Sequence, residues 1–582
     1  MFSSIRFDER VSIEMRDGAV LSGEVYRPGG RRRHPAIVMR TPYSGDAISG
    51  VGSSYIKVIP TIQAGYALLI TYVRGRFGSQ GKYDLAPSQT EGPDCYDTIE
   101  WVAHQPWCDG NIGMAGESAL GTVQWRAARE SPPHLKAIAP GLAGAPGQAG
   151  PETADAPVNL NIAVSLLLIL AGDVLDRQEA QGIDTTEARR SLSQVRDTPS
   201  LAYDYLPLKN VPQFNLPGIR EIWDRCLHMS SSGPTTSSEP YLFRSVKVPT
   251  LSVTSWYDPF ARNSFRSFSR MQTDGGTRYA REHQHLLAGP WCHCRPQRVI
   301  GDIDFGPYAD ETGSGTAGYL LSFFDKYLKG KDISLPTVRY FTMVRNSWRD
   351  GPAWPLPQTT WERYFLHSHG RANSRSGNGL LSRDGPGIEP QDTYVYDPAH
   401  PVPTAGGRGG LAENGFLYGP IDQAYVERRP DVLCYTSSEL TEDTEVTGPL
   451  ELHLFACSSR RDTDFAAKLV DVYPDGRAYN VADGIVRSQY RNSFSEAELL
   501  RPGEIVEFVI RLGHTSQLFR RGHHIRIDIA SSNFPTFDRN MNTGNPLGED
   551  AQGIPAVQTI YHQTGHASYI DLPVIPAERR SA

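Results

Sequence analysis

The residues best suited to do chemistry in this chain are Gly116-Glu-Ser118-Ala-Leu-Gly121. A short apolar run ends there and an Ala/Arg-rich helical pattern begins at once, which places Ser118 at the tip of a strand, turn and helix. Glycines permit a strained backbone at such a turn, so the serine oxygen projects at the strand end and the next N–H faces the same cavity. This is the pattern of a nucleophile elbow, and the chemistry it predicts is hydrolytic acyl transfer. The second glycine stands one place later than usual, at Gly121 rather than at Leu120, so the motif needs partners.

A serine hydroxyl near neutral pH needs a base, and the base needs a carboxylate to fix its tautomer. Two later positions fit, in the order serine, acid, histidine. Asp258, in Trp256-Tyr-Asp258-Pro-Phe260, follows the apolar run ending at Ser255, and His293, in Gly289-Pro-Trp-Cys-His293, follows His285 to Ala288. Alone, the first reads as a turn aspartate and the second as a core histidine; in this order, each after a strand, they read as a triad. The tetrahedral intermediate needs donors. One is the Ala119 N–H, and the second could come from the phenol of Tyr43, where Arg40-Thr-Pro-Tyr43 leaves another apolar run; taken alone, Tyr43 reads as a packed aromatic. Cys292-His293-Cys294 invites a metal reading, but alternate residues of an extended segment point apart and no C-x-x-C accompanies them. Neither a metal nor a cofactor is expected.

The elements that must position these residues alternate. Val11 to Tyr26 reads as a hairpin around Asp17-Gly18; Ala36 to Met39 and Tyr66 to Thr71 read as strands buried on both faces; Asp94 to Gln105 reads as a helix capped by Asp94. Such alternation predicts a mostly parallel sheet with crossover helices. From Gly144 the pattern turns helical, with the apolar Ile162 to Ala171 and a polar helical segment from Asp173 to Val195. Leu166, Leu167 and Leu170 of this insertion, with Trp256 and Phe260 beside the acid, are candidates for substrate contact. Glu152 and Asp155 could add negative charge there. Beyond Pro336 helix periodicity nearly vanishes and period-two alternation takes over, as at Leu450 to Ala456 and Ile525 to Ile529, which describes a β-sandwich of jelly-roll length. Ser368 to Ser382 reads as a surface excursion. The fold class is therefore α/β with an all-β carboxyl-terminal domain: residues 1–143 and 241–335 form the first domain, 144–240 a helical cap, and 336–582 the jelly roll.

The 582 residues suit about three or four units. The chain carries 58 basic and 65 acidic residues, for a net charge of -7 without like-charge blocks, so neither nucleic acid nor an anionic membrane is expected as a partner. The amino terminus lacks the pattern of a secretory signal, Ile162 to Ala171 is about half the roughly 20 residues a membrane span needs, and seven scattered cysteines suit a reducing compartment. A cytoplasmic location is expected; the oligomeric state, homo-oligomer included, is left open.

Over almost its whole length the chain resembles the cocaine esterase and X-Pro dipeptidyl-peptidase-like serine hydrolases. The resemblance rests on Arg40-Thr-Pro-Tyr43, Arg74-Gly-Arg-Phe-Gly-Ser-Gln-Gly81, Asp97 to Trp101 with Gln105-Pro-Trp107, the Ser118 elbow, Trp256-Tyr-Asp258, Gly289 to His293, Asp462-Thr-Asp-Phe465, Pro474-Asp-Gly476 and Ser531 to Pro535. It implies an α/β-hydrolase domain, a helical cap over its site and a jelly roll beside it, with Ser118, Asp258, His293 and Tyr43 as nucleophile, acid, base and oxyanion donor. Relatives usually carry tyrosine after the nucleophile, where Ala119 stands, and an acidic residue where Tyr72 precedes Val73. α-Amino-acid ester hydrolases also carry acidic residues at the places of Phe260 and Ala261. The reading is a hydrolase of small-molecule carboxylic esters; the alternatives are an acylase or dipeptidyl peptidase, and a non-catalytic ligand-binding protein.

Overall fold

The computed structural model describes residues 5–44, 55–83, 90–145, 157–228, 239–294, 296–409, 411, 417–493 and 496–576. The expected hairpin is β1 (Ile5–Glu14) and β2 (Val20–Pro28), turning at Gly18 with φ 83°. The apolar runs follow as β3 (His34–Thr41), β4 (Ala67–Tyr72), β5 (Cys108–Glu117), β6 (Leu135–Gly141), β7 (Thr250–Tyr257) and β8 (Gln284–Cys292). Two-residue strands β9 (Val299–Ile300) and β10 (Ile303–Asp304) pair with each other, while β11 (Val338–Thr342) and β12 (Ser347–Gly351) return to the large sheet. Its order is β1-β2-β4-β3-β5-β6-β7-β8-β11-β12, parallel from β4 through β11. Strands β11 and β12, which lie beyond residue 335, join the sheet of the first domain because β11 finds its hydrogen-bond partner in β8.

Helices α1 (Val58–Gln63), α2 (Glu91–Ala103) and α3 (Ala119–Glu130) cross between the strands. In α2 the N-cap position belongs to Thr90, not Asp94. Asp94 lies within the first turn and chelates Arg74 through both oxygens at 2.7 Å. The cap consists of α4 (Leu160–Ala180), α5 (Thr186–Asp197), α6 (Ser200–Tyr203), α7 (Arg220–His228) and α8 (Glu239–Ser245), and the crossovers α9 (Ala261–Asp274), α10 (Arg278–Glu282) and α11 (Thr316–Lys329) follow. The apolar run and the start of the polar segment are one helix, α4, capped by the Asn159 side chain on the Ile162 N–H at 2.9 Å. The chain breaks only at Gly182, with φ 82°.

The carboxyl-terminal domain is all sheet. Thr444–Ser458, Asp464–Val472, Val506–Phe519 and His524–Ala530 carry the alternating runs. Ser368 to Ser382 is less of a surface excursion than its composition suggests. Ser368 and Ala372 are buried, Ser374 N–H donates to the Val432 carbonyl, and Leu380–Ser382 pairs as a strand. An apolar contact joins this domain to the first: Trp354 and Phe265 pack on Trp256, and Phe265 stacks on His514 at 4.0 Å. Burial drives the His514 pKa down to about 3, so its neutral Nδ1 accepts from Trp354 Nε1 at 3.1 Å.

Candidate active site

Strand β5 is buried from Ile112 to Glu117, and exposure returns at Ser118 and Ala119, where the chain turns into α3. Ser118 has φ 59° and ψ -123°, a strained conformation for a side-chain-bearing residue. The turn is held by Ser118 N–H on the Gly141 carbonyl at 2.9 Å, and by Gly121 and Thr122 N–H on the Ser118 carbonyl at 2.9 and 3.0 Å. The displaced glycine has a steric cause. A Cβ at Gly121 would stand 2.6 Å from both Ala143 Cβ and the Gly141 carbonyl oxygen, so α3 can lie this close to the end of β6 only without a side chain there. The Ala119 N–H, first of α3, lacks an intrahelical acceptor by construction.

At the same sheet edge, Asp258 follows β7 and His293 follows β8. Asp258 is fully buried; its Oδ1 accepts the Phe260 N–H at 2.7 Å and its Oδ2 lies 2.6 Å from His293 Nδ1. A carboxylate at that distance makes Nδ1 the protonated nitrogen and leaves Nε2 as the base. Burial opposes charging this imidazole, but the Cys294 sulfur and the Asp258 carboxylate outweigh it, and the His293 pKa is raised well above its ordinary value. Burial also pushes the Cys294 thiol up, and the Asp258 side chain is the partner that holds the ring through Nδ1. Ser118 and His293 share no hydrogen bond among the described residues; catalytic contacts of this kind often tighten only when substrate binds.

Tyr43 follows β3 at this edge and is half-buried, with its N–H on Thr41 Oγ1 at 2.9 Å. Its loop is anchored on both sides. Arg40 is buried, donating to Glu91 Oε1 at 3.2 and 3.1 Å and to Thr98 Oγ1 at 2.9 Å. Arg76, after β4, donates to the Pro42 carbonyl at 2.9 Å. The sequence assigns neither arginine a role of its own; an arginine pair just past an apolar run is the only signal at Arg76.

The expected substrate contacts fare differently. Phe260 is half-buried and its ring lies 5.2 Å from that of His293. Trp256 is fully buried and donates Nε1 to the Phe341 carbonyl at 2.8 Å; its side chain is a domain contact because alternate residues of β7 face opposite sides of the sheet. Leu167 is fully inside the cap's own core, Leu166 packs partly against that core, and Leu170 is buried. A cap of several helices must bury its own apolar face, and α4 supplies more of it than any other cap helix. Glu152 and Asp155 lie outside the described residues. Among the described residues no group of three or more His, Cys, Asp or Glu could hold a metal, and no helix is long and apolar enough to cross a membrane.

Residues 17–295 match the X-Pro dipeptidyl-peptidase (S15) family, and residues 331–571 match the X-Pro dipeptidyl-peptidase C-terminal non-catalytic domain. Cocaine esterase of Rhodococcus sp. (strain MB1 Bresler) is 36% identical over 97% of this chain and 98% of its own. The chain belongs to the cocaine esterase and X-Pro dipeptidyl-peptidase-like serine hydrolase family. Among solved structures, an α-amino acid ester hydrolase superposes with a TM-score of 0.73 at 25% identity, covering 98% of this chain and 97% of that one. An aminopeptidase from a marine sediment Thaumarchaeota archaeon, at 23% identity and TM-score 0.73 over 99% and 97% of the two chains, shares the fold. The architecture is thus the family's: α/β-hydrolase domain, helical cap and jelly roll.

Proposed function

We propose that Ser118, His293 and Asp258 are the triad, and the Ala119 N–H and Tyr43 O–H the oxyanion donors, of a hydrolase acting on small-molecule carboxylic esters. Hydrolysis of carboxylic esters by a serine enzyme is the family's chemistry; the assignment of roles is ours. The observation that carries it is the buried 2.6 Å pair of His293 Nδ1 and Asp258 Oδ2, standing on loops at the same sheet edge as the Ser118 elbow.

Ser118 Oγ attacks the ester carbonyl carbon while its proton passes to His293 Nε2, and the carbonyl oxygen, now anionic, is met by Ala119 N–H and Tyr43 O–H. Collapse breaks the ester C–O bond, and the leaving alkoxide takes the proton from His293. Water then attacks the acyl-enzyme by the same route, releasing the carboxylic acid and restoring Ser118. An ammonium-bearing peptide would need a carboxylate near the acid's loop. There Phe260 packs on His293, and Ala261, fully buried, starts α9.

The test compares kcat/KM at neutral pH for simple acyl and benzoyl esters against an Ala-Pro anilide, with Ser118→Ala as the blank and a serine-directed phosphonate as label. Ester turnover that disappears in the blank, with the adduct on Ser118, is expected. Preference for the anilide would transfer the chain to the peptidase reading, and absence of an adduct on folded protein would remove Ser118 as nucleophile.

A further inference from the structure

The loop after β4 contains a buried cation that the triad and its donors do not use. Arg76 is 1% exposed. Its Nε donates to the Pro42 carbonyl at 2.9 Å, and its Nη1 donates to the Leu170 carbonyl of α4 at 3.0 Å and lies 3.3 Å from Asp173 Oδ2 of the same helix. Pro42 O belongs to the peptide whose nitrogen is that of Tyr43. One rigid guanidinium therefore joins the peptide that carries the oxyanion phenol to the main helix of the cap.

The attachment is built from both sides. Asp173 Oδ1 accepts the Phe77 N–H at 3.1 Å, and Asp173 Oδ2 lies 3.2 Å from Arg177 Nε one turn on. Arg177 Nη2 in turn donates to the Phe77 carbonyl at 2.6 Å and the Ser79 carbonyl at 3.2 Å. The aromatic rings of Phe77 and Tyr83 each lie 5.3 Å from the Arg76 guanidinium carbon. Burial lowers the Arg76 pKa, and Asp173 opposes that loss; an arginine stays charged at working pH in any case.

We infer that Arg76 is a positioning residue which couples the placement of the cap to the aim of the Tyr43 hydroxyl, so that seating of substrate under α4 is transmitted to the oxyanion donor. This coupling rests on Tyr43 being the oxyanion donor proposed for the ester hydrolase. Arg76 touches neither substrate nor reacting atoms. Its effect passes through Tyr43, and an error of about 1 Å in such a donor costs on the order of 10²-fold.

The experiment is a double-mutant cycle on kcat at saturating ester, between Arg76→Lys and Tyr43→Phe, with thermal unfolding of each variant as the folding check. Lysine keeps the charge but cannot span Pro42 and Leu170 together. Arg76→Lys is expected to lower kcat about 10- to 100-fold in the parent, with KM within about threefold. In the Tyr43→Phe protein the same change should cost under about threefold. Equal losses in both backgrounds would overturn the coupling while leaving Tyr43 its role. A Tyr43→Phe protein within a few-fold of wild type would instead overturn the oxyanion reading and the coupling with it. Should Arg76→Lys fail to fold, Asp173→Asn, which leaves Arg76 in place but loosens its hold on α4, takes its place in the cycle. A loss confined to the Tyr43 background then supports the coupling, and equal losses in both backgrounds overturn it.

Discussion

Gly121→Ala probes whether the elbow's geometry, rather than the mere presence of Ser118, makes the site. The new Cβ would meet Ala143 Cβ and the Gly141 oxygen at 2.6 Å, against about 3.4 Å for ordinary contact. The first turn of α3 must therefore move by roughly 0.8 Å from the end of β6, because one obstacle is backbone and cannot rotate away. That displacement carries the Ala119 N–H with it and strains the Ser118 N–H to Gly141 O bond. A shift of this size predicts a fall in kcat on the order of 10²-fold, about 2.7 kcal/mol in the barrier, and overpacking adds about 1–3 kcal/mol of lost stability. The assay is kcat on a simple ester with thermal unfolding alongside. Gly172→Ala is the control: it lies within α4, its Cβ would meet nothing within 4 Å, and it should be neutral or gain up to about 1 kcal/mol. A Gly121→Ala enzyme with kcat within threefold of wild type would refute the steric account of the displaced glycine.

Asp258→Asn should lower kcat by about 10⁴-fold with little change in KM, since the amide no longer holds the Nδ1–H tautomer; a loss under tenfold would argue against Asp258 as the orienting acid. Because the His293 pKa is raised, kcat/KM should fall as pH drops through a value above 6.5, and that acid limb should move downward in Asp258→Asn. The stability this pairing contributes has the opposite pH sense: it is complete below the unfolded pKa of about 6.5 and lost as pH rises through the raised folded value. In the jelly roll, His562 is fully buried between Asp392 Oδ2 at 2.9 Å and Glu389 Oε2 at 3.2 Å. His562→Phe should cost about 1–3 kcal/mol in denaturant unfolding by removing one hydrogen-bond partner of the buried Asp392 carboxylate, which keeps Ser368 Oγ and the Tyr435 O–H, while kcat per folded molecule stays near wild type.

What the sequence determined by itself is what depends on local pattern and chain order. The continuous apolar runs that became β3 to β8 had to be buried on both faces, the Asp17-Gly18 turn had to make a hairpin, and serine, acid and histidine each followed a strand, so a parallel sheet alone brings all three to one edge. The phenol of Tyr43 was a candidate from its loop, and the family resemblance assigned it the oxyanion role. What only the tertiary structure decided is what depends on which surfaces meet. The Asp94 carboxylate serves Arg74 rather than a cap because α2 starts a turn earlier; Trp256 joins two domains because of the face of β7 it occupies; β11 and β12 belong to the first sheet because β8 offers the open edge. Arg76 is the clearest case. Its neighbours come from Pro42 after β3, from Leu170 and Asp173 of α4, and from Tyr83 farther along its own loop, and a contact made by folding leaves no periodicity along the sequence to read.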